Sequence, residues 1–265
     1  MVILMDHLIS WMIAVPIIGI GILAFVRDEE SIRRVAFIST IVEFFLSLIL
    51  WRGFDFTLQS MQFVERVEWM PTFNIQYAVG VDGISILLVL LTALLCTLCI
   101  LCSWTGITTR VRAYLSLILL VESAMIVVFT ALDLFLFFML WELAMIPMYF
   151  MIIIWGGPNR IAAGLKFILY SLTGGLLLLV GVLGLYIKGG NTYDLLVLTE
   201  QTYSSSTQFW LFLAFFLAFA KVGSTTSASA SIKLFNNSSI ASRDQPKSFN
   251  TFSNIITCAL FSEFG

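Results

Sequence analysis

Histidine occurs once in this chain of 265 residues, at His7, and charged side chains make up only 11% of it. One imidazole cannot supply paired axial ligands to a haem or a histidine-rich metal centre, which excludes a haem-carrying cytochrome. Charge is scarce in both signs, with 14 Lys and Arg against 16 Asp and Glu. No lysine-rich tract exists to grip a phosphate backbone, which argues against nucleic acid as a partner. The chain also has no phosphate-binding glycine loop, no nucleophile–base constellation and no cluster of metal ligands, so it is assigned no redox or hydrolytic chemistry of its own. There are four cysteines. Cys96, Cys99 and Cys102 sit at three-residue spacing inside an apolar run, and Cys258 is far away. Three thiols so placed read as small apolar packing residues rather than as an iron–sulfur site.

What the chain has is apolar surface. Hydrophobic residues make up 60% of the sequence, and the mean hydropathy is +1.00. A soluble domain carries about a quarter charged residues, so the solvent for most of this chain is lipid. Apolar runs long enough to cross the hydrocarbon at about 1.5 Å per residue predict six transmembrane helices. They lie near residues 8–26, 34–51, 83–104, 113–131, 133–155 and 164–187. A seventh begins at Phe209 and stops near Val222. The first run follows Asp6 and His7 rather than a basic stretch and has no small-residue cleavage site, so it reads as a retained helix and not a secretory signal. The fold class is therefore all-α: a polytopic transmembrane helix bundle of six full helices plus an incomplete seventh.

Basic residues divide unevenly between the two sides. Arg27, Arg33, Arg34, Arg110, Arg112, Arg160 and Lys166 fall on one side, and Arg52, Arg66 and Lys188 on the other. The positive-inside rule places the N-terminus on the outer face. Residues 52–82, around Trp69-Met70-Pro71 and Val81-Asp82-Gly83-Ile84-Ser85, read as an ordered outer loop whose Asp82 caps the third span. In the sixth span Ser171, Gly174, Gly175, Gly181 and Gly184 are small residues that let neighbouring helices approach closely. Composition changes near residue 222, and residues 223–265 form a Ser/Thr/Asn-rich tail in which disorder is expected.

Charges in the wrong solvent carry the functional signal. Glu43, Glu122 and Glu142 sit near the centres of the second, fourth and fifth spans. A carboxylate there costs about 2.5–3.5 kcal/mol or more unless protein, water or a partner receives it. Glu142 is the strongest of the three, because Pro147 removes a backbone donor nearby and can open the helix beside the carboxylate. Asp133, between two spans, reads as a helix cap. Lys221 ends an apolar run from within and reads either as half of an intramembrane ion pair or as the first residue of the hydrophilic tail.

These residues sit in recognisable motifs. Val81-Asp82-Gly83-Ile84-Ser85, Leu132-Asp133-Leu134-Phe135-Leu136-Phe137, Trp141-Glu142 with Ile146-Pro147-Met148-Tyr149, Lys166 to Tyr170, and Leu217-Ala218-Phe219-Ala220-Lys221-Val222 together resemble the antiporter-like subunit 4 (subunit M) of proton-pumping NADH:quinone oxidoreductase, respiratory complex I. The resemblance covers residues 1 to about 222. It implies the N-terminal part of an antiporter-like fold, in a membrane-arm subunit that moves protons while NADH oxidation and quinone reduction occur in other chains. It matches the family's glutamate of the fifth helix to Glu142 and its lysine of the seventh to Lys221. These form the expected proton-loading pair, with Glu122 and Lys166 tuning it.

The resemblance further implies that NADH, FMN, iron–sulfur clusters and quinone belong to partner subunits, with no cofactor on this chain. The expected partners are other membrane-arm subunits and the lipid bilayer, and the expected location is a bacterial plasma membrane or a mitochondrial inner membrane. The family continues after its lysine with a proline-containing stretch and a second half of an inverted repeat. Neither is present here, so a truncated, split or frame-shifted product is expected. Two other readings stand beside this one: a subunit of a sodium/proton antiporter or membrane-bound hydrogenase, and a non-transporting structural membrane subunit.

Overall fold

A computed structural model of the chain describes residues 7–58 and 60–220. Its elements in chain order are α1 (Leu8–Phe25), α2 (Glu29–Gly53), β1 (Gln62–Met70), β2 (Ile75–Val81), α3 (Ser85–Gly106), α4 (Val111–Thr130), α5 (Leu134–Trp155), α6 (Arg160–Lys188) and α7 (Leu195–Thr199), followed by α8 (Ser205–Ala220). The six helices α1 to α6 are long and apolar enough to cross a membrane, and they match the six predicted spans. The chain is an integral membrane protein.

Two helices start earlier than their apolar runs. Asp28 accepts the Ser31 amide at 2.9 Å and begins α2 five residues before the predicted 34. Glu29 and Glu30 fill its first turn, where negative charge suits the helix dipole. α6 likewise begins at Arg160. The first turn of α2 is charged, so an apolar-run criterion cannot see it, whereas the residues added at the start of α6, Arg160-Ile161-Ala162-Ala163, carry the single charge of Arg160. α8 begins four residues before the predicted Phe209, and Ser204 accepts the Thr207 amide at its start.

The segment read as an outer loop is an antiparallel hairpin. Gln62 pairs with Val81 and Met70 with Ile75, across a 3-10 turn at Pro71–Phe73 and Asn74 in the left-handed region at φ 57°. The strands escape a period-two reading because β1 inverts it: Glu65 is buried while Val67 and Trp69 are exposed. Glu65 turns inward to serve α1, accepting the Ile9 amide at 2.9 Å, the Ser10 amide at 3.3 Å and the Ser10 hydroxyl. A carboxylate from the hairpin thus satisfies the open N-terminus of a helix more than fifty residues away.

The hairpin also binds the ends of later helices. Leu132 donates its amide to Ala78 O (2.8 Å), Leu195 to Leu132 O (2.8 Å) and Leu134 to Tyr193 O (2.9 Å), so β2, residues 131–134 and residues 193–195 form one plate at one end of the bundle. Arg66 of β1 pairs with Asp194, which also caps α7 at the Leu196 amide. On the opposite face Arg33 donates to Ile107 O and Arg112 to Val26 O, both at 2.6 Å, closing the carbonyl ends of α3 and α1. The predicted division of basic residues into two sets agrees with this topology.

Within the bundle α4 is the most buried helix, packed against α1, α2, α3 and α5. Two apolar layers occupy its ends. The one at the hairpin end contains Leu8, Met12, Leu50, Val89 and Ile126, and the one at the opposite end Leu23, Ala36, Ile100, Tyr114 and Leu119. Between them, at mid-depth, lie Glu43 of α2, Cys96 of α3 and Glu122 of α4.

Candidate functional site

Glu142 lies about 12 Å along α5, eight residues from its start. The helix is anchored at that end by Asp133, whose Oδ1 accepts the Phe135 and Leu136 amides at 2.9 Å each while Oδ2 accepts the Gln76 amide at 3.1 Å. Asp133 is the expected cap, and it also fastens the hairpin. Burial holds its carboxyl above the ordinary value of 3.8 against the pull of these three amide donors, with Asp194 pushing the same way as burial. Pro147 lies inside the helix, five residues beyond Glu142, and leaves Leu143 O without its usual intrahelical donor. The helix nonetheless runs unbroken from Leu134 to Trp155.

The Glu142 carboxylate is turned toward α6, where it rests against Gly175 so closely that a Cβ on that residue would collide with it. Its Oε1 is buried without a hydrogen-bond partner among the described residues, and so is the Ser171 hydroxyl, one turn away on the same face of α6. The sixth helix's small residues therefore divide their work. Gly175 houses the carboxylate, whereas Gly181 and Gly184 admit Phe215 and Leu211 of α8, each 3.1 Å from where a Cβ would stand. Beside Glu142, Trp141 is buried and meets Phe219 of α8 edge-on, with ring centroids 5.8 Å apart. Ala218, Trp141, Met145 and Leu178 share one apolar cluster there.

Lys221 follows Ala220 directly and lies outside the described residues, as does the whole tail from 223 to 265. Lys166 is exposed. It stands on the side of α6 opposite the buried row Gly164, Ser171, Gly175, Leu178 and Val182, and it makes no ion pair among the described residues. Glu122 is fully buried in α4, and its two oxygens have no hydrogen-bond partner among the described residues. It lies within electrostatic range of Glu43. Val121, Ala124 and Met125 of α4 pack on Ala144 of α5 and form an apolar layer between the two helices. Cys96 and Cys99 are buried free thiols, and no group of three or more metal-ligating side chains occurs among the described residues.

Sequence reasoning missed the specific tasks of two residues. Gly175 was visible only as one small residue among several, and Glu65 carried no local signal at all.

The features assembled so far define a class: a polytopic membrane protein with lone carboxylates at mid-depth, one of them seated in a glycine pocket on a proline-containing helix. Comparison with known proteins makes this specific. The family described as "NADH:quinone oxidoreductase/Mrp antiporter, TM" matches residues 131–235. The chain is 38% identical over 215 residues to NADH-ubiquinone oxidoreductase chain 4 of Arabidopsis thaliana, covering 80% of this chain and 43% of that protein. It is 39% identical over 234 residues to NADH-quinone oxidoreductase subunit M of Rhodobacter capsulatus, covering 82% of this chain and 45% of that protein. In fold it resembles a chain of respiratory complex I from Thermus thermophilus, with TM-score 0.69 and 28% identity over 85% of this chain and 46% of that one. A chain of the Mrp complex from Dietzia sp. shares the fold at TM-score 0.67 and 18% identity, covering 84% of this chain and 23% of that one.

The chain belongs to the antiporter-like family of subunit M, or chain 4, of NADH:quinone oxidoreductase. It spans less than half the length of the curated relatives it matches.

Proposed function

We propose that this chain is a membrane-arm component of a proton-translocating NADH:quinone oxidoreductase, with Glu142 as its proton-loading group. The observation that carries the reading is the Glu142 carboxylate, held inside the membrane against the bare backbone of Gly175 with Oε1 lacking a hydrogen-bond partner among the described residues. A group so placed serves to take up and release a proton. Lys221 is its partner, an assignment supported by the contact of Phe219 with Trp141, which brings the end of α8 to the Glu142 neighbourhood. Separating such a pair releases a proton from the lysine and loads one onto the carboxylate. Glu122 and Lys166 adjust the charge around this pair from a distance rather than by contact.

Redox chemistry belongs to partner subunits that carry NADH, FMN, iron–sulfur clusters and quinone, and none of these enters the step assigned here. The chain's partners are the neighbouring membrane-arm subunits. The N-terminus, the hairpin and α7 face the periplasm or intermembrane space, because the face holding Arg33, Arg110, Arg112 and Arg160 is the more basic. Impermeant thiol labelling of Thr57→Cys and Thr108→Cys checks this: Thr57→Cys reacts from the outer side, and reaction of Thr108→Cys there instead overturns it.

Membership is tested on a native gel of membranes stained for NADH oxidation, with mass spectrometry of the active band. Peptides of this chain in that band support the reading. Their absence, together with transport that depends on sodium rather than NADH, favours an antiporter complex.

A further inference from the structure

Ser171 is 1% exposed, and its hydroxyl has no hydrogen-bond partner among the described residues. A hydroxyl inside a helix ordinarily returns to a carbonyl of its own helix one turn back. Thr92, Thr97, Thr130 and Thr173 do so four residues back, and Ser47 and Ser103 three back. Ser171 does not, so its donor is left for the helix it faces. Contacts on either side of it settle which helix that is. Gly164, seven residues before Ser171, meets Ile153 and the Tyr149 ring of α5, and Gly175, four residues after it, meets the Glu142 carboxylate. Spacings of seven and four keep all three residues on one face of α6, so Ser171 lies on the α5 seam between those two contacts.

We propose that Ser171 is a positioning residue for Glu142: its hydroxyl donates to Oε1 and leaves Oε2 to take up and release the proton. The proposal rests on the reading of Glu142 as the proton-loading group. Of the two carboxylate oxygens only Oε1 is both buried and without a hydrogen-bond partner among the described residues. The carboxylate overlaps the place of a Cβ on Gly175. Residues four apart on a helix have Cβ positions about 5–6 Å from each other, so the carboxylate stands at about that distance from the Ser171 Cβ. A turn about the bonds of the Glu142 side chain closes this gap to a hydroxyl hydrogen bond of about 2.7–2.8 Å. Gly175, without a side chain, leaves the way open. Each group alone is a buried polar atom without a partner, and together they satisfy one another. Fixing one oxygen also decides which atom of the carboxyl meets the proton.

The test reads the carboxyl itself. The assembled enzyme is reduced with NADH, and the infrared difference spectrum is recorded in the carboxyl C=O region for wild type, Glu142→Gln, Ser171→Ala and Ser171→Thr. The band lost in Glu142→Gln belongs to Glu142. In Ser171→Ala, which removes a single heavy atom, that band should move to higher frequency, as a C=O that has lost a donor does. In Ser171→Thr, which keeps the hydroxyl, it should return to its wild-type place. A Glu142 band unmoved in Ser171→Ala overturns the proposal while leaving Glu142 its proton. Equal movement in Ser171→Ala and Ser171→Thr overturns it as well, because packing and not the hydroxyl is then what changed. If no band is lost in Glu142→Gln, the proton-loading reading falls, and this proposal with it.

Discussion

The Glu142 carboxylate occupies the space that a side chain on Gly175 would fill. The relationship runs between two helices, so the position of the carboxylate depends on what α6 lacks. Gly175→Ala should push the carboxylate aside rather than part the helices, because the colliding atoms are the far end of a flexible side chain. The expected result is a normal amount of assembled protein with proton translocation reduced about 10–100-fold, the cost of misplacing a reacting group by about an ångström. Gly181→Ala is the control. It meets Phe215 at 3.1 Å and should affect packing of α8 while sparing the rate per assembled complex. Equal loss of rate in both variants contradicts the role given to Gly175.

Glu65 supplies the N-terminal end of α1 with its hydrogen-bond acceptor. Glu65→Ala leaves the amides of Ile9 and Ser10 unsatisfied and should destabilise that end by about 1–3 kcal/mol. Hydrogen exchange of detergent-solubilised protein checks it. The first turn of α1 should lose protection in the variant, while the middle of α4 keeps its own.

Asp82 provides a pH-dependent contribution of known sign. Burial raises its carboxyl, but the bonds from Ser85 and Ile84 outweigh burial and hold it below the ordinary value of 3.8. Oδ1 accepts the Ser85 amide at 2.7 Å and the Ile84 amide at 3.1 Å, and the Ser85 hydroxyl accepts the Asp82 amide at 2.8 Å. A carboxylate lowered by folding adds stability above its unfolded value and loses it as pH falls through the folded one. Wild type should therefore melt above Asp82→Asn at about neutral pH, and the difference should vanish below about pH 3. A difference that persists in acid shows that the charge is not what stabilises the start of α3.

Most of the membrane part of this architecture was legible in the sequence, because lipid imposes one demand, an apolar run of fixed length. α1, α3, α4 and α5 satisfy it almost end to end. The first turn of α2 was missed because it is charged, and capping by Asp28 rather than an apolar run decides where that helix starts. The hairpin was hidden because Glu65 faces inward on an otherwise exposed strand, for the sake of a helix distant in sequence. The site shows the same division. Glu142 stood out as a charge in lipid, and Pro147 marked its helix. Which small residue would face it depends on the rotation of α6, and nothing in the spacing of Ser171, Gly174 and Gly175 sets that angle.

The central claim is that Glu142 carries a translocated proton. The most direct measurement is NADH-driven proton pumping by the assembled enzyme with Glu142→Gln, at a matched rate of quinone reduction and with subunit content checked on the native gel. The account predicts that assembly survives while protons moved per NADH oxidised fall. An unchanged ratio with Gln at this position would contradict it.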